Sequence, residues 1–597
     1  GTKEIALAVT ATTLSLVVIF LPVAFMGGLV GRFWKSFGLT ATVAIGMSLL
    51  VSFTLTPMLS SRLLKAPNKE RGGKSKEAKF YTHMERIYLA MLRWCLGHKA
   101  VVILLSIALF FSTILIMKFL KGEFIVEDDM SEFEVIVETP PGSSLEKSDG
   151  IVKEIEAELR KIPEAEHIFT TIGVRGPYQS NVTDVSIYVG LKHLSERKRG
   201  QIAIMQDARI RLKKYTGLRQ SVQNISLIAG GGFRQTPFNL VIKGPELEKL
   251  DEYSRTLIKR LSAISGFVDT DTGQALRHPE TQVRIDREKA SDLGVKMDTI
   301  ASGLRTMVGG EKVSLFREGD EQYNVRLRLA ADYRKDASQI ENLTVPGAEG
   351  SLVKLSNITT LVSGTSPAQI DRYAQERQIT VISNLFGKPL GEAVTQANVI
   401  LKEMNMPSAY SASYLGFGKI MQEAFYNFMI AFVLCLIFIY IVLAAQFESF
   451  IHPVTIMVSI FLSIPFGLLS LLIFGSTLNI YSFMGMFVLI GVVKKNAILV
   501  VDYTNTLRGR GMPIYDAQIE ANRVRLRPIL MTTFAIMAGL TPVALSKGDG
   551  SASRASLAIA VVGGQALCLI VTLLVIPVVY SVFDDLSRFS IKIYSLV

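Results

Sequence analysis

The stretch from Asn479 to Tyr503 is long and apolar enough to cross a membrane, yet it carries two lysines near its middle. A hydrocarbon core about 30 Å thick needs about 20 predominantly apolar residues in a helix. Lys494, Lys495 and Asn496 interrupt the apolar run, which resumes from Ala497 to Val501. A lysine at that depth costs about 2.5–3.5 kcal/mol, so it usually faces a polar partner or a hydrated path. The stretch therefore predicts a membrane helix with at least one functional lysine.

The simpler alternative is that both lysines extend to the membrane surface along their apolar stems. Adjacent residues of a helix point about 100° apart, so this explanation suits one lysine better than two. The apolar residues that follow Asn496 make it harder still for both lysines to reach the surface together.

The overall composition indicates a membrane protein with a large soluble insertion. Hydrophobic residues make up 49% of the 597 residues, and the charged residues concentrate in a central block. A net charge of +12 does not indicate a nucleic-acid partner here, because many of the basic residues fall in short loops beside apolar segments. The three cysteines lie in or beside apolar runs, which argues against a disulfide framework or a metal site.

Eight apolar segments are candidate membrane helices. They are Ile5–Met26, Phe37–Leu59, Ala100–Leu120, Phe425–Gln446, Val454–Phe474, Ile480–Tyr503, Pro528–Ser546 and Ala555–Val582. Eight spans place both ends of the chain on one side, together with two basic loops at residues 62–93 and 508–527. Because short basic loops stay in the cytoplasm, the block at about residues 121–419 is predicted to lie on the opposite side.

That block predicts an α+β region, because strand–helix–strand units return three times. Strands are expected at Phe133–Glu138, Ser186–Lys192, Phe238–Ile242, Thr281–Ile285, Ile379–Ser383 and Tyr410–Tyr414, with helices at Leu145–Lys161, Leu247–Ile264 and Leu390–Met404. Such units predict small split βαβ subdomains of the ferredoxin-like kind. The stretch at about residues 289–367, with a helix that ends at Gly309-Gly310, reads as a separate insertion.

A repeat links the two ends of the chain. The first copy contains Leu21-Pro22-Val23-Ala24 and, later, Pro57; the second contains Thr541-Pro542-Val543-Ala544 and, later, Pro577. The two prolines of each copy are 35 residues apart, and the second copy lies 520 residues after the first. Parallel repeats of this kind are typical of transporters. We expect the counterpart of the lysine helix to lie about 25 residues before Gly1, in a portion that precedes the present sequence. The eight predicted spans hold no carboxylate at the depth of the lysines, so we expect the acidic partner on that preceding helix.

Several motifs, in this order along the chain, resemble those of the resistance-nodulation-division transporters. They are LPVAFMGG at 21–28, DREKASDLGV at 286–295, AAQFESFIHP at 444–453, KNAILVV at 495–501, RLRPILMTT at 525–533 and PVALSKGDG at 542–550. The chain looks like the C-terminal half of the inner-membrane pump in the hydrophobe/amphiphile, or multidrug, branch of that family. The resemblance implies a membrane protein with eight transmembrane α-helices, part of a duplicated twelve-helix bundle. It also implies a large periplasmic α+β region of ferredoxin-like subdomains with a docking insertion.

The resemblance also implies a proton relay. Lys495 would exchange partners as aspartates on the preceding helix gain and lose protons, with Asn496, Arg525 and Thr532 as further members. The energy source would be the proton-motive force, with no cofactor. Without the family, Arg525 would be an anchor at the cytoplasmic end of a helix, and Thr532 would bond back to its own turn. Lys494 stands where the family has a small residue, and we expect it to extend to the membrane surface.

A substrate path is implied at the loop Gly173–Asn181, which resembles the switch loop of drug pumps. Phe169 and Tyr188 fit its aromatic flanks, and Gly173 and Tyr178 lie within it. Val174 and Gly176 stand where phenylalanines would be expected, which leaves the substrate range open. A glycine- and proline-containing loop with a single tyrosine is also compatible with a plain connection.

The family likeness implies an assembly and a location. The pump would be a homotrimer or heterotrimer in the bacterial inner membrane, in contact with lipids, with an adaptor protein, an outer-membrane channel and small amphiphilic substrates as partners. Both ends of this chain would be cytoplasmic. The expected segments are two membrane helices at 1–62, a cytoplasmic basic linker or interfacial helix at 63–97, a membrane helix at 98–120, porter subdomains at 121–235 and at 236–288 with 368–419, a docking insertion at 289–367, and five membrane helices with a cytoplasmic tail at 420–597.

Three other functions are alternatives. A heavy-metal exporter of the same family would use methionine clusters for soft ions, and of the methionines in the soluble block only Met404 and Met406 are close together. A protein-export or lipid-transport accessory of the wider superfamily would have no drug path. An enzyme is not expected, because the six histidines are scattered and GAEGSLVKLS at 347–356 lacks the phosphate-loop pattern.

Overall fold

The computed structural model describes residues 2–63, 79–173, 181–225, 236–273, 277–334, 336–367, 369–546, 548 and 550–594. Helices dominate both ends of the chain. They are α1 (Thr2–Ala24), α2 (Gly28–Phe53), α3 (Leu55–Leu63), α4 (Lys79–Gly97), α5 (Lys99–Phe119), α6 (Leu145–Leu159), α7 (Gln201–Leu212), α8 (Leu247–Ser262), α9 (Arg287–Asp292), α10 (Met297–Leu304), α11 (Leu390–Glu403), α12 (Phe417–Phe447), α13 (Ile451–Ile473), α14 (Ile480–Gly509), α15 (Ile514–Ala544) and α16 (Ser551–Tyr594).

The strands all lie between α5 and α12. They are β1 (Glu132–Glu138), β2 (Ala165–Ile172), β3 (Asp184–Leu191), β4 (Arg219–Gln223), β5 (Phe238–Gly244), β6 (Phe267–Thr272), β7 (Arg277–Ile285), β8 (Glu311–Glu318), β9 (Glu321–Leu327), β10 (Thr344–Pro346), β11 (Leu352–Lys354), β12 (Thr359–Pro367), β13 (Arg372–Tyr373), β14 (Glu376–Leu385) and β15 (Ser411–Tyr414). The large α+β region expected from the sequence is present.

Within the described part of the chain, seven helices are long and apolar enough to cross a membrane; α1 adds a shorter apolar stretch, Val9–Ala24. The eight predicted segments overlap these helices, but their ends differ, and Phe37–Leu59 runs across the break between α2 and α3. Helix α2 starts at Gly28 rather than Phe37, α14 continues to Gly509, and α15 starts at Ile514 rather than Pro528. The apolar run marks only the part of a helix that matches the bilayer, while backbone hydrogen bonds continue through the polar turns beyond it.

The α+β region contains two main antiparallel sheets. The first has the strand order β2-β3-β1-β4, and its core is closed by α6 and α7. The second has the order β13-β14-β5-β15, with β6 also paired to β14, and packs against α8 and α11. The second and third predicted units therefore combine into one sheet from both sides of the insertion.

The prediction that Thr281–Ile285 belongs to that second sheet is wrong. These residues are part of β7, which pairs with β12 in a separate two-stranded ribbon. The place beside β14 is taken by β6, where the Phe267 ring meets the Phe238 ring edge-on with centroids 5.5 Å apart. Burying the Phe267 ring stabilises β6 in this position more than burial of the largely polar β7 would stabilise β7 there.

The repeated prolines occupy equivalent places in their helices. Pro22 lies two residues before the end of α1, and Pro542 lies two residues before the end of α15. The partner prolines differ, because Pro577 lies inside the continuous α16 whereas Pro57 follows a break between α2 and α3 at Thr54.

Glycines bring α13, α14 and α16 into close contact. A Cβ atom on Gly485 of α14 would lie 2.6 Å from the carbonyl oxygen of Leu557 in α16. A Cβ on Gly564 of α16 would lie 2.5 Å from the Leu489 side chain and 3.1 Å from Cα of Gly467 in α13. Small residues at such crossings allow helix backbones to approach closely in a membrane.

Candidate functional site

Helix α14 carries the lysine pair and is anchored at its start. The side chain of Asn479 accepts hydrogen bonds from the backbone N–H groups of Tyr481 and Ser482, and the Ser482 hydroxyl accepts from the Asn479 N–H in return. This reciprocal cap satisfies orphan donors at the helix start. From there α14 runs between α1, α12, α13, α15 and α16, so its middle lies inside a helix bundle.

Lys494 is the more deeply buried of the two lysines. Its side chain is 1% exposed, and its Nζ donates to the backbone carbonyl of Ser15 in α1 at 2.6 Å. Cys435 of α12 lies close to the same ammonium group. The expectation that Lys494 extends to the membrane surface is therefore wrong, because its face of α14 is covered by two other helices.

Lys495 points to a different side of α14 and is half-buried. Asn496, beside it, is 4% exposed, and its amide Nδ2 has no hydrogen-bond acceptor among the residues that the structure describes. A buried amide donor without an acceptor costs about 1–3 kcal/mol, so a polar partner at this position would be stabilising. These two side chains, with Lys494 before them, interrupt the apolar middle of α14.

The other two predicted relay residues lie on α15. The guanidinium carbon of Arg525 lies 4.8 Å from the centre of the Tyr503 ring, and its Nε has no acceptor in the described parts of the chain. Thr532 donates to the carbonyl of Ile529 at 3.1 Å, as an ordinary helix threonine does. Within the described structure the four predicted relay side chains make no hydrogen bond or ion pair with one another, and their shared role stays a prediction.

Two polar contacts between helices were not anticipated from the sequence. Gln565 of α16, fully buried, donates to the hydroxyl of Thr533 at 3.3 Å. Near the far end of α14, Arg508 donates to the Tyr580 hydroxyl at 2.7 Å and pairs with Asp584 at 2.9 Å. The partners in these contacts come from separate helices, so no local pattern in the sequence brings them together.

The predicted substrate-path residues lie on the first sheet. Phe169 of β2 stands directly opposite Tyr188 of β3, and its ring is 68% exposed. The Tyr188 hydroxyl donates to Glu132 at 2.9 Å; burial, and then this carboxylate, raise the pKa of Tyr188. Gly173 directly follows β2 and has a positive φ of 86°, a conformation that favours glycine. Tyr178 lies outside the described residues.

Four of the six methionines of the α+β region are spread over three separate cores. Met205 belongs to the core of the first sheet, Met297 to that of the insertion, and Met404 and Met406 to that of the second sheet. Each of these thioethers serves local packing, which methionine does well in irregular cores.

Two carboxylates follow α5 outside the membrane helices. Desolvation raises the pKa of Glu127 to about 7, the Glu123 carboxylate adds to this rise, and Arg209 opposes it. Glu127 as a whole residue is exposed to solvent, which screens the effect of desolvation on its carboxyl group.

We expect Glu127→Gln to flatten the pH dependence of stability. Because the pKa of Glu127 in the folded chain lies above its ordinary value of 4.5, the stability present in acid is lost as the pH rises through about 7. The uncharged variant should melt at the wild-type temperature at about pH 4, below the ordinary pKa of a glutamate, and above it at about pH 8. Thermal unfolding in detergent measures both, with the exposed Glu248→Gln as the control. An equal shift at both pH values would contradict the prediction.

Comparison with known proteins gives consistent results over nearly the whole chain. A model of the AcrB/AcrD/AcrF family matches residues 1–584. The multidrug resistance protein MdtC of Salmonella paratyphi A (strain ATCC 9150 / SARB42) is 30% identical in an alignment 599 residues long, gaps included, that covers 99% of this chain and 58% of that protein. MdtC of Citrobacter koseri is also 30% identical, in an alignment 600 residues long that covers 99% of this chain and 57% of that protein.

A solved structure shows the same fold. The X-ray crystal structure of a heavy metal efflux pump (crystal form II) superimposes with a TM-score of 0.84 at 22% identity, over 97% of this chain and 58% of that chain. The chain thus spans somewhat more than half the length of the proteins it matches. The family model, which covers residues 1–584, shows that the chain belongs to the AcrB/AcrD/AcrF family of resistance-nodulation-division efflux transporters.

Proposed function

We propose that the protein containing this chain exports hydrophobic and amphiphilic compounds by exchange with protons. The observation that carries the proposal is the pair Lys495 and Asn496 in the apolar middle of α14, which other helices enclose. A charged side chain inside a membrane helix costs free energy, and in transporters such residues mark the pathways of ions and protons.

The proposed cycle uses Lys495 as a movable partner of carboxylates. A carboxylate beside an ammonium group stays ionised, and its protonation breaks the pair. The released lysine then finds a new acceptor, and α14 changes its position among its neighbours. A proton gradient biases this two-state rearrangement in one direction. Asn496 supplies an amide donor beside the lysine, while Arg525 and Thr532 would complete the relay from α15.

The proposed substrates are drugs, detergents and toxic metabolites of amphiphilic character. The relatives that carry the name multidrug resistance protein are 30% identical to this chain. The exposed Phe169 ring opposite Tyr188 offers an aromatic surface beside the loop that would line the path. The similarity to a heavy metal efflux pump concerns the fold, and the distribution of the methionines over separate cores favours the amphiphile path.

The proposed setting is the bacterial inner membrane, with the α+β region in the periplasm and both ends of this chain in the cytoplasm. There the pump would work as a trimer and pass substrate from the periplasm or the inner-membrane leaflet, through an adaptor, to an outer-membrane channel. The basic loops at residues 62–93 and 508–527 support this orientation.

Susceptibility of cells tests the substrate class. A strain that lacks its own major pumps would express the intact transporter and be exposed to amphiphilic dyes, bile salts, copper and silver. We expect increased resistance to the amphiphiles, abolished by a protonophore, and unchanged tolerance of the metals. Increased tolerance of copper or silver alone would instead favour the heavy-metal function.

A further inference from the structure

The segment that joins α5 to β1 contacts more helix starts than a connection needs. We call residues 121–131, with the sequence KGEFIVEDDMS, the junction segment. It runs between the helix bundle and the α+β region. Its backbone and carboxylates bind the starts of four helices, two in each part of the molecule.

On the bundle side, the junction segment is bound to the start of α14. The Leu478 N–H donates to the Lys121 carbonyl at 2.8 Å, and the Glu123 N–H donates to the Leu478 carbonyl at 3.1 Å. The Ile480 N–H donates to the Phe124 carbonyl at 3.3 Å, and the Thr477 hydroxyl donates to the Glu123 carboxylate. These bonds form a short strand-like pairing directly before the capped start of α14, so the two segments move together.

A second attachment on the bundle side is made by Asp128. One oxygen of its carboxylate accepts from the Ala552 N–H at 2.9 Å, and the other accepts from the N–H of Ser553 at 3.2 Å and from its hydroxyl at 3.0 Å. Asp128 thus binds the first turn of α16, which packs along α14. A carboxylate that accepts several hydrogen bonds at a helix start is a strong and directional anchor.

On the α+β side, Asp129 binds the first sheet layer. It accepts from the Gln201 N–H at the start of α7 at 2.9 Å, and it pairs with Arg197. The Arg197 side chain is fully buried and also donates to the carbonyls of Lys192 and Arg199 at 2.9 and 2.6 Å. This buried, fully bonded arginine makes the attachment rigid.

The second sheet layer is attached through two glycines. The Gly391 N–H at the start of α11 donates to the Gly122 carbonyl at 3.0 Å. A Cβ atom at Gly391 would lie 2.7 Å from that same carbonyl oxygen, so only glycine allows this approach. Helix α11 is therefore tied to the junction segment within a few residues of the bonds to α14.

We propose that the junction segment is the link by which a movement of α14 reaches α7 and α11 and thereby both sheets of the α+β region. This inference rests on the proposed relay in α14. Gly391 and Asp128 act as positioning residues, since neither would touch substrate or a relay proton. The link is made of backbone hydrogen bonds and buried anchors. Because closely packed structure transmits strain, a displacement at one end of the link moves the other end.

A double-mutant cycle read by hydrogen–deuterium exchange tests the link in the purified intact transporter. Lys495→Ala should change the exchange rates of amides in both α14 and α11. When Gly391→Ala is also present, Lys495→Ala should still change the amide exchange rates in α14 but no longer change those in α11. Alanine is a better helix former than glycine by about 1 kcal/mol, so α11 itself is not weakened.

The control is Gly150→Ala, the same substitution inside α6, where a Cβ meets no atom within 4 Å in the described structure. It should leave the response of α11 intact. Two results would overturn the link. One is that Lys495→Ala does not change the amide exchange rates of α11 in the otherwise wild-type protein. The other is that it still changes them when Gly391→Ala is also present. Unchanged drug resistance of Lys495→Ala would instead overturn the proposed relay and the inference with it. Should Gly391→Ala fail to fold, Thr477→Val serves in its place, and an undiminished response of α11 counts against the link.

Discussion

Lys495→Ala is expected to reduce resistance to amphiphilic compounds to the level of cells that lack the pump, at normal expression. The reason is that the proposed cycle needs an ammonium group that changes partners, and alanine offers none. The measurement is the minimum inhibitory concentration of several amphiphiles, combined with the amount of protein in the membrane. Resistance that stays at the wild-type level would remove Lys495 from the mechanism.

The adjacent lysine provides a matched control. Lys494 donates to a backbone carbonyl from a fully enclosed site. This hydrogen bond offsets part of the free-energy cost of removing its ammonium group from water. Lys494→Met keeps most of the volume and removes the charge. We expect transport to continue and the thermal stability in detergent to stay equal or rise, by up to about 3 kcal/mol.

The opposite pattern has a clear meaning. If Lys494→Met abolished resistance while Lys495→Ala kept it, the relay role would belong to the buried lysine that contacts α1. The two variants therefore distinguish two criteria for the relay lysine. The motif KNAIL indicates Lys495, whereas the depth of burial indicates Lys494.

The second large effect is expected from Gly485→Leu. Because even a Cβ atom at this position lies 2.6 Å from a backbone carbonyl of α16, the two helices must separate. Inserting bulk into a packed core typically costs about 1–3 kcal/mol, and here the obstacle is backbone rather than a flexible side chain. We expect little monodisperse protein after detergent extraction, measured by fluorescence-detected size-exclusion chromatography.

Gly539→Leu is the matched control for this substitution. Gly539 lies inside α15, and a Cβ there meets no atom within 4 Å among the described residues. Its leucine variant should be extracted in wild-type amount. Equal losses for both variants would show that any large residue in place of a helix glycine is harmful, and the close crossing of α14 and α16 would lose its importance.

The sequence was sufficient for the coarse architecture, apolar helices with a large α+β region, because the strongest signals are local. Apolar runs of membrane length and alternating strand patterns each act within a few turns of chain. The repeat that relates Pro22 to Pro542 needed no tertiary information either. Helix ends were less predictable, because helices such as α14 and α15 continue in polar residues outside the apolar run.

The second sheet shows where local patterns fail. The alternation in Thr281–Ile285 correctly predicts a strand, but pairing is decided by which segment best fills the edge beside β14. The Phe267 ring against Phe238 decides in favour of β6, and the two residues are far apart in the chain. Strand pairing is a property of the assembled core, so a single segment cannot specify it.

The candidate site divides in the same way. The sequence alone determined that a lysine pair interrupts a membrane helix and that no acidic residue accompanies it at its depth in the predicted spans. Only the tertiary structure decided that Lys494 is enclosed by α1 and α12 while Lys495 stays half-buried. Adjacent residues on a helix are chemically alike in the sequence, and the helices that happen to pack on each face give them different environments.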